Sequence, residues 1–304
     1  MTSMRHWPLT NGLLGGEWRW PSEHKVYLLL DGVRVQDLAR RLYEWSAGRL
    51  EADLLYAGTP WSDVNDVSPW LVHLAGPEDP VLRQFLEDGL ALEWGYLIVS
   101  ESDLAELGDH LRGLIQVVHP AGIPLLLRLA DPAVIAALLT PDSSPAQVPW
   151  RPIDSLLAPD ALAEEWRCWS PAVTDAAPIS LDHAYRLSEP QLQRLQACDL
   201  RRDTRRLMAF VERHCVDWLS GTGGAQRHAQ LAAIVHEARD FGFHAPREWA
   251  LLCTLMARLG ITTWRDGATD TAAYRWLTAP EPSAIARLEA ALQAASPHSS
   301  PLMT

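Results

Sequence analysis

The first half of the chain alternates short apolar runs with segments of helical spacing. Strand-like runs cover residues 25–30, 52–56, 70–74 and 96–99, and the runs 115–118 and 123–129 flank Pro120-Ala121-Gly122 as a hairpin. Helical spacing covers residues 33–45 and 80–92, follows Ser100, and begins again at Asp131-Pro132, a cap followed by a proline at the first helical position. This alternation predicts an α/β or α+β domain with a mixed sheet over residues 25–180.

The second half is helical in pattern. One apolar stripe recurs at three- and four-residue steps through Leu207, Phe210, Val211, His214, Cys215 and Trp218. Similar stripes follow near residue 231, between Pro246 and Gly260, and after Ser283. We predict an all-α lobe over residues 181–295, preceded by a Pro-rich connection over residues 141–159. The flanking segments are predicted as an N-terminal extension (1–24) and a disordered tail (296–304).

Charge and hydropathy narrow the class of protein. The 304 residues carry a formal net charge of −12, which argues against a nucleic-acid binder that neutralises phosphates. No apolar run reaches the roughly 18–20 residues of a membrane helix, and no signal-peptide pattern opens the chain. We therefore expect a cytoplasmic protein without membrane contact. The four cysteines show no CxxC spacing, so we expect small buried side chains.

Signatures of catalysis are weak. The sequence contains neither a GxxxxGK[ST] loop nor a GxSxG turn. His214 and Cys215 could pair as base and thiol, but neighbours in a helix point about 100° apart, and both lie on the apolar stripe. His236-Glu237 lacks the second histidine of a zinc-binding HExxH motif. We predict no catalytic, cofactor-binding or metal-binding residues.

Asp31, Arg128 and Asp131 are the best candidates for a polar site. Each lies at or just beyond the end of a predicted strand, where α/β domains often bind ligands. Catalysis there would need a nucleophile or a metal that the sequence does not supply, whereas Arg–Asp pairs often fix loops through charge-assisted hydrogen bonds. We favour the structural role, and an enzyme with an Asp/Arg site stays as an alternative.

Several short motifs occur in a distinctive order. They are Tyr27-Leu28-Leu29-Leu30-Asp31-Gly32, Tyr56-Ala57-Gly58-Thr59-Pro60, Ser68-Pro69-Trp70, Trp94-Gly95 and Arg128-Leu129-Ala130-Asp131-Pro132. In this order and spacing, residues 25–140 resemble the family known as domain of unknown function 4123, the type VI secretion effector adaptors. That family often has aromatic residues around its Arg and Asp-Pro, whereas Leu127, Leu129 and Ala130 stand here.

The resemblance implies a non-catalytic adaptor or chaperone. Such a protein binds a cognate toxic effector in the producing cell and promotes its loading onto the spike protein VgrG. The residues then expected to bind the partner or to mark the family are Asp31, Gly32, Gly58, Thr59, Pro60, Trp61, Pro69, Trp70, Trp94, Gly95, Arg128, Asp131 and Pro132. Trp61, Trp70 and Trp94 are candidate anchors, because tryptophan is enriched at binding hot spots. An immunity protein that neutralises a toxin is an alternative function.

Overall fold

The structure, a computed structural model, describes residues 3–14, 18–140, 150–170, 184–264, 271–281 and 283–295. The chain divides into two units, Met1–Cys198 and Asp199–Thr304, and the division falls within one long helix. The boundary predicted near residue 180, the predicted tail 296–304, and part of the predicted connection (141–149) lie outside the described residues.

A seven-stranded sheet forms the centre of the first unit. Its strands are β1 (Ser3–Pro8), β2 (Lys25–Leu30), β3 (Ala52–Leu54), β4 (Trp70–Leu74), β5 (Gly95–Ser100), β8 (Ser155–Asp160) and β9 (Glu165–Ser170). They are ordered β1-β9-β8-β5-β2-β4-β3. A separate hairpin consists of β6 (Gln116–Val118) and β7 (Pro124–Leu126), as predicted. The predicted class is confirmed.

Every neighbouring pair in the described sheet is antiparallel, which refines the predicted mixed sheet towards the α+β alternative. The sheet is antiparallel because β2 lies between β4 and β5. Strands β4 and β5 run in the same direction and are joined through helical turns, a connection typical of parallel neighbours. However, β2 lies between them and pairs antiparallel with both.

The central strands are buried on both faces. In β2, Val26, Leu28 and Leu30 pack into one core, and Tyr27 and Leu29 pack into the other. Successive side chains of a strand point to opposite faces, so a continuous apolar run indicates a strand covered on both sides. Helices α1 (Leu38–Trp45) and α2 (Pro80–Gln84) cover the first face. Helices α3 (Leu104–Ile115) and α4 (Pro132–Leu139) cover the second.

Two helices are shorter than their patterns predict. Helix α1 begins at Leu38 instead of residue 33, because residues 31–35 form turns in which the Asp31 carbonyl accepts from the Arg34 and Val35 amides. Helix α2 begins at Pro80 as predicted and continues only as a π-helical turn, Phe85–Gly89. Helix α4 begins at the predicted cap, where Asp131 Oδ1 accepts from the Ala133 amide at 3.0 Å.

The Pro-rich segment was predicted as a connection, but residues 155–160 form β8. Pro159 is tolerated in the sheet because β8 pairs with β5 only from Ser155 to Leu157, whereas Pro159 pairs with Trp166 of β9. Proline is found where a strand lacks a partner on its N–H side. The segment predicted as an N-terminal extension supplies β1, which pairs with β9 along its length.

The second unit is helical among its described residues. It comprises the C-terminal part of α5 (Glu189–His214), α6 (Gly224–Asp240), α7 (Pro246–Leu259), α8 (Ala272–Thr278) and α9 (Ala284–Ala294). The predicted stripe is largely confirmed, since Leu207, Val211 and Cys215 are buried. The prediction that His214 lies on the buried stripe was wrong. Its side chain is exposed and contacts the Phe210 ring, with 4.6 Å between the ring centroids. In the part of the chain that the structure describes, no helix is long and apolar enough to cross a membrane.

Candidate functional site

Three connections meet at one end of the sheet and bring five charged residues together. Asp31 follows β2 and begins the turn that carries Arg34; Glu93 precedes β5; Arg128 and Asp131 lie between β7 and α4. We call these five residues the ionic cluster. The prediction that Asp31, Arg128 and Asp131 lie together is confirmed for the pair Asp31 and Arg128, and Arg34 links both to Asp131.

The two arginines bind the three carboxylates. Arg128 Nε donates to Asp31 Oδ2 at 2.8 Å. Arg34 Nη2 donates to Asp131 Oδ2 at 2.8 Å, and its Nη1 lies 3.5 Å from Glu93 Oε2. Arg34 Nε also lies 3.7 Å from Asp31 Oδ2. Arg34 therefore stands at the centre of the cluster.

Each carboxylate also holds a stretch of backbone. Asp31 Oδ1 accepts from the Val33 amide at 2.9 Å, Asp131 Oδ1 caps α4, and Glu93 Oε1 accepts from the Ala161 amide at 3.0 Å. Arg34 Nη1 donates to the Leu92 carbonyl at 2.7 Å. The cluster thus ties the ends of β2 and β8, the start of β5 and the start of α4 to one another.

The cluster is almost closed to solvent. Asp31, Glu93 and Asp131 expose 2%, 0% and 3% of their surface, whereas the side chains of Arg34 and Arg128 expose 16% and 22%. Removing charges from water is costly, and a buried ion network often stabilises no more than a hydrophobic replacement. Its clearest effect is to fix the connections in one geometry.

Two buried phenols flank the cluster. Burial raises the pKa of Tyr56, and the Asp31 carboxylate raises it further, partly offset by Arg128. Burial also raises the pKa of Tyr96 well above its usual range, with a further contribution from Asp131, and Tyr96 Oη donates to the Leu129 carbonyl at 3.0 Å. Both phenols are therefore neutral at physiological pH, and they do not supply a base.

The carboxylates are occupied by guanidinium and amide donors. Among the described residues, no group of three or more His, Cys, Asp or Glu is placed to hold a metal ion. Burial raises the pKa of the thiols of Cys168, Cys215 and Cys253, which favours the unreactive thiol form. These three cysteines are buried as predicted, whereas the prediction was wrong for Cys198, which is only half-buried. The bonds of the cluster agree with the interpretation that Asp31 and Arg128 fix loops.

Two glycines near the cluster are required by close backbone approach. A Cβ at Gly95 would lie 1.9 Å from the Leu29 carbonyl oxygen, and a Cβ at Gly32 would lie 2.3 Å from the Ser68 carbonyl oxygen. Real Cβ atoms do not come this close to oxygen, so neither position accepts a side chain without backbone movement. Gly32 and Gly95 are thus part of the scaffold.

The region that holds the ionic cluster is similar to a known protein family. Residues 26–149, which contain all five residues of the ionic cluster, match the family model described as Domain of unknown function (DUF4123). This part of the chain is therefore similar to the DUF4123 family. The predicted resemblance is confirmed. The chain is also 27% identical over 287 residues to "Accessory protein VasW" of Vibrio cholerae serotype O1, covering 93% of this chain and 92% of that protein. No solved structure matches the chain.

The remaining motif residues of the DUF4123 domain shape its turns. Thr59 Oγ1 donates to the Tyr56 carbonyl at 2.7 Å and accepts from the Trp61 amide at 3.1 Å, which closes the turn containing Gly58 and Pro60. The Pro69 carbonyl accepts from the Leu55 amide at 3.1 Å beside β3, and Pro132 is the first residue of α4. Their predicted role in partner binding stays a prediction.

The three candidate tryptophan anchors differ in accessibility. Trp94 is 6% exposed and stacks on Trp45, with ring centroids 6.0 Å apart and planes 12° apart. Trp61 and Trp70 are half-buried and pack against opposite faces of the sheet. Of the three, only Trp61 and Trp70 therefore expose a substantial part of their surface to solvent.

Arg34 and Glu93 belong to the site of the DUF4123 domain but were not predicted from the sequence. Arg34 follows the Asp31-Gly32 turn by two residues, and Glu93 directly precedes Trp94-Gly95. Both therefore lie beside motif residues, which is the signal that would have identified them. Glu93 has a φ of 52°, in the left-handed region that a glutamate rarely adopts.

Proposed function

We propose that the protein is a non-catalytic adaptor of a type VI secretion system. It binds a cognate toxic effector inside the producing cell and promotes the loading of that effector onto the VgrG spike. The observation that carries the proposal is the similarity to an accessory protein over 93% of this chain, together with the DUF4123 match. The resemblance of its motif order to the effector adaptors supplies the specific role.

The geometry of the DUF4123 domain supports a binding role. Its charged residues at the strand ends, where an α/β enzyme would place its reactive groups, are engaged in holding backbone. Connections fixed in this way form a preorganised surface, which loses little conformational freedom when a partner binds. An adaptor must also release its effector, which favours a moderate interface with a polar rim.

Co-purification with the products of the adjacent genes tests the proposal. The full-length protein, tagged and produced with each neighbour, is expected to recover a toxin, and a strain lacking the protein is expected to secrete less of that toxin. Restoring the gene should restore secretion. Failure to recover either neighbour, with both shown to be soluble, would contradict the adaptor function.

The same strains separate an adaptor from an immunity protein. Expression in a susceptible target cell should leave that cell sensitive, because an adaptor affects delivery and does not block the toxin's active site. Protection of the target cell with unchanged secretion would instead identify an immunity protein.

A further inference from the structure

Three connections at the end of the sheet that holds the ionic cluster carry exposed aliphatic side chains. Val33, Leu92 and Val64 expose 53%, 56% and 43% of their surface. Val33 follows β2, Leu92 precedes β5, and Val64 lies in the 3-10 helix Ser62–Val67 before β4. We call these three residues the loop-end patch.

Direct contacts hold these three connections together. Arg34, next to Val33, donates from Nη1 to the carbonyl oxygen of Leu92 at 2.7 Å. Gly32, on the other side of Val33, packs against the backbone of Val67 and Ser68, where the 3-10 helix containing Val64 ends. The loop-end patch is therefore carried by adjoining segments.

Single exposed aliphatic residues are common on protein surfaces and need no explanation. These differ because a buried ionic cluster, costly to desolvate, fixes the segments that carry two of them. A surface held in one conformation before binding gives tighter association than a mobile one with the same contacts.

The charge around the patch indicates what kind of partner it fits. Exposed acidic residues are frequent on the same connections and the turns beside them: Asp37, Asp63, Asp66, Glu87 and Asp88. Arg40 and Arg83 are exposed basic residues there. The asymmetry extends to the whole unit, because residues 1–198 carry 27 acidic and 14 basic residues, whereas residues 199–304 carry 11 and 12. A formal charge of about −13 on the first unit favours a basic partner segment.

We propose that the loop-end patch docks a basic, amphipathic segment of the effector. Apolar side chains of that segment contact Val33, Leu92 and Val64, and its Arg and Lys side chains face the surrounding carboxylates. Apolar contact supplies most of the affinity, and the opposite charges accelerate association and fix orientation. This inference rests on the proposed adaptor function and assigns its binding surface.

The test compares two matched pairs of substitutions in the full-length protein. V33S/L92S removes two aliphatic side chains of the patch, and the control I123S/V216S removes two that expose 59% and 69% elsewhere. The probe is the purified product of the adjacent toxin gene, measured by surface plasmon resonance. We expect V33S/L92S to weaken binding at least about tenfold, and the control to bind within about twofold of wild type.

Charge is tested separately with D63N/D66N, which removes two exposed carboxylates beside Val64. Raising the salt concentration should slow association with the wild type, and this dependence should be weaker for D63N/D66N. Synthetic peptides that tile the toxin should locate binding in a stretch that contains both basic and apolar residues. Binding that is insensitive to salt, or an acidic bound peptide, would overturn the charge assignment.

The outcomes distinguish the patch from the proposed function. If the wild type binds the toxin and V33S/L92S binds equally well, or if the control weakens binding as much, the patch is not the docking surface and the adaptor function stands. If the wild type binds neither neighbour, the adaptor function itself fails. Thermal unfolding of each variant serves as the folding control, and V33T/L92Q provides a second exchange that keeps side-chain size should the first variant unfold.

Discussion

Arg34 contacts more of the ionic cluster than Arg128 does. Its guanidinium group reaches the carboxylates of Asp31, Glu93 and Asp131 and the carbonyl oxygen of Leu92. Those three carboxylates have little access to water. Loss of Arg34 would leave three buried carboxylates with only Arg128 to balance their charge. The loss of stability would therefore come mainly from the unpaired carboxylates that remain buried.

Arg34→Ala is expected to lower the free energy of unfolding by about 3–5 kcal/mol, the usual cost of breaking a buried ion pair from one side. The control is Arg40→Ala, because Arg40 forms a surface pair with Asp37 at 3.3 Å in which both side chains are about two-thirds exposed. That substitution should change stability by less than about 1 kcal/mol. Urea denaturation followed by circular dichroism measures both, and equal losses would refute the structural importance of the cluster.

Tyr27 gives the first unit a pH dependence at alkaline pH. Burial, with smaller contributions from Asp103 and Glu51, raises its pKa to about 12 from the usual 10. A raised pKa means that the folded state holds the proton more tightly. The contribution of the protonated Tyr27 side chain to the free energy of unfolding is therefore fully present below pH 10 and is lost as the pH rises towards 12.

Tyr27→Phe tests this assignment. At neutral pH the variant should be less stable by about 1 kcal/mol, because it lacks the hydrogen bond from Tyr27 Oη to the Ser102 carbonyl at 2.8 Å. The difference from wild type should shrink between pH 10 and 12, where only the wild type loses the contribution of Tyr27. Urea denaturation over a pH series measures it; a difference that stays constant through that range would show that burial does not raise this pKa.

Sequence patterns predicted part of the cluster for a physical reason. Asp31, Arg128 and Asp131 stand at the ends of strands or at a helix cap, and chain direction alone places such positions near one edge of a sheet. Arg34 contacts Glu93 at a sequence separation of 59 residues, and Glu93 contacts Ala161 at a separation of 68 residues. A local pattern carries no information about pairings at that distance.

At the scale of elements, the pairing of β2 with β5 depends on a residue that lacks a side chain. Gly95 lies opposite Leu30, and its Cα faces the Leu29 carbonyl so closely that a methyl group would overlap it. Moving β5 away would break the longest pairing of the central strand β2, which spans Lys25–Leu30. The position is therefore closed to every other amino acid.

Gly95→Ala should destabilise the protein by more than about 3 kcal/mol or prevent folding, since relief requires moving a buried strand. Gly76→Ala is the matched exchange, because nothing lies within 4 Å of a Cβ at Gly76. It should stay within about 1 kcal/mol of wild type. Soluble yield and the urea midpoint report on both, and a Gly95→Ala protein of normal stability would disprove the close approach.

Elements with long, regular patterns were predicted well, and irregular ones were not. The apolar stripe of α3 and the Asp131-Pro132 start of α4 are local signals, and both are confirmed. Strand β8 was missed because prolines suggest a connection, and only the partial overlap of β8 with β5 makes Pro159 acceptable. Strand overlap is a property of the assembled sheet, which a single segment does not reveal.

At the scale of the whole molecule, the cysteines report on opening of each unit. Cys168 is buried in the sheet unit, Cys215 and Cys253 are buried in the helical unit, and Cys198 is half-buried. Cys198 should react first with a thiol reagent under native conditions. The other three should react at least about a hundredfold more slowly, because burial also raises their pKa.

Mass spectrometry after timed labelling identifies which thiol has reacted. In denaturant all four should react at similar rates, which controls for reagent access. Rapid labelling of Cys253 in the native protein would contradict the packing of α7 in the helical core.

Composition predicted the class of the whole molecule but did not reveal that its charge is unevenly divided between the two units. A net charge of −12 argues against phosphate-driven binding for the chain as a whole, yet residues 1–198 carry about −13 and residues 199–304 about +1. The total averages an acidic unit with a nearly neutral one. The charge of each unit can be counted only when the boundary between the units is known. That boundary falls inside α5, where the helical pattern of the sequence continues without interruption.

Residues that fix the fold lie next in sequence to residues whose side chains are free to contact a partner. Asp31, Gly32 and Glu93 bind or closely approach backbone, whereas the exposed side chains of Val33 and Leu92, each next in sequence to one of these residues, make none of these contacts. Under the proposed docking role, substitutions at these exposed positions would change the partner and leave the contacts that fix the fold intact.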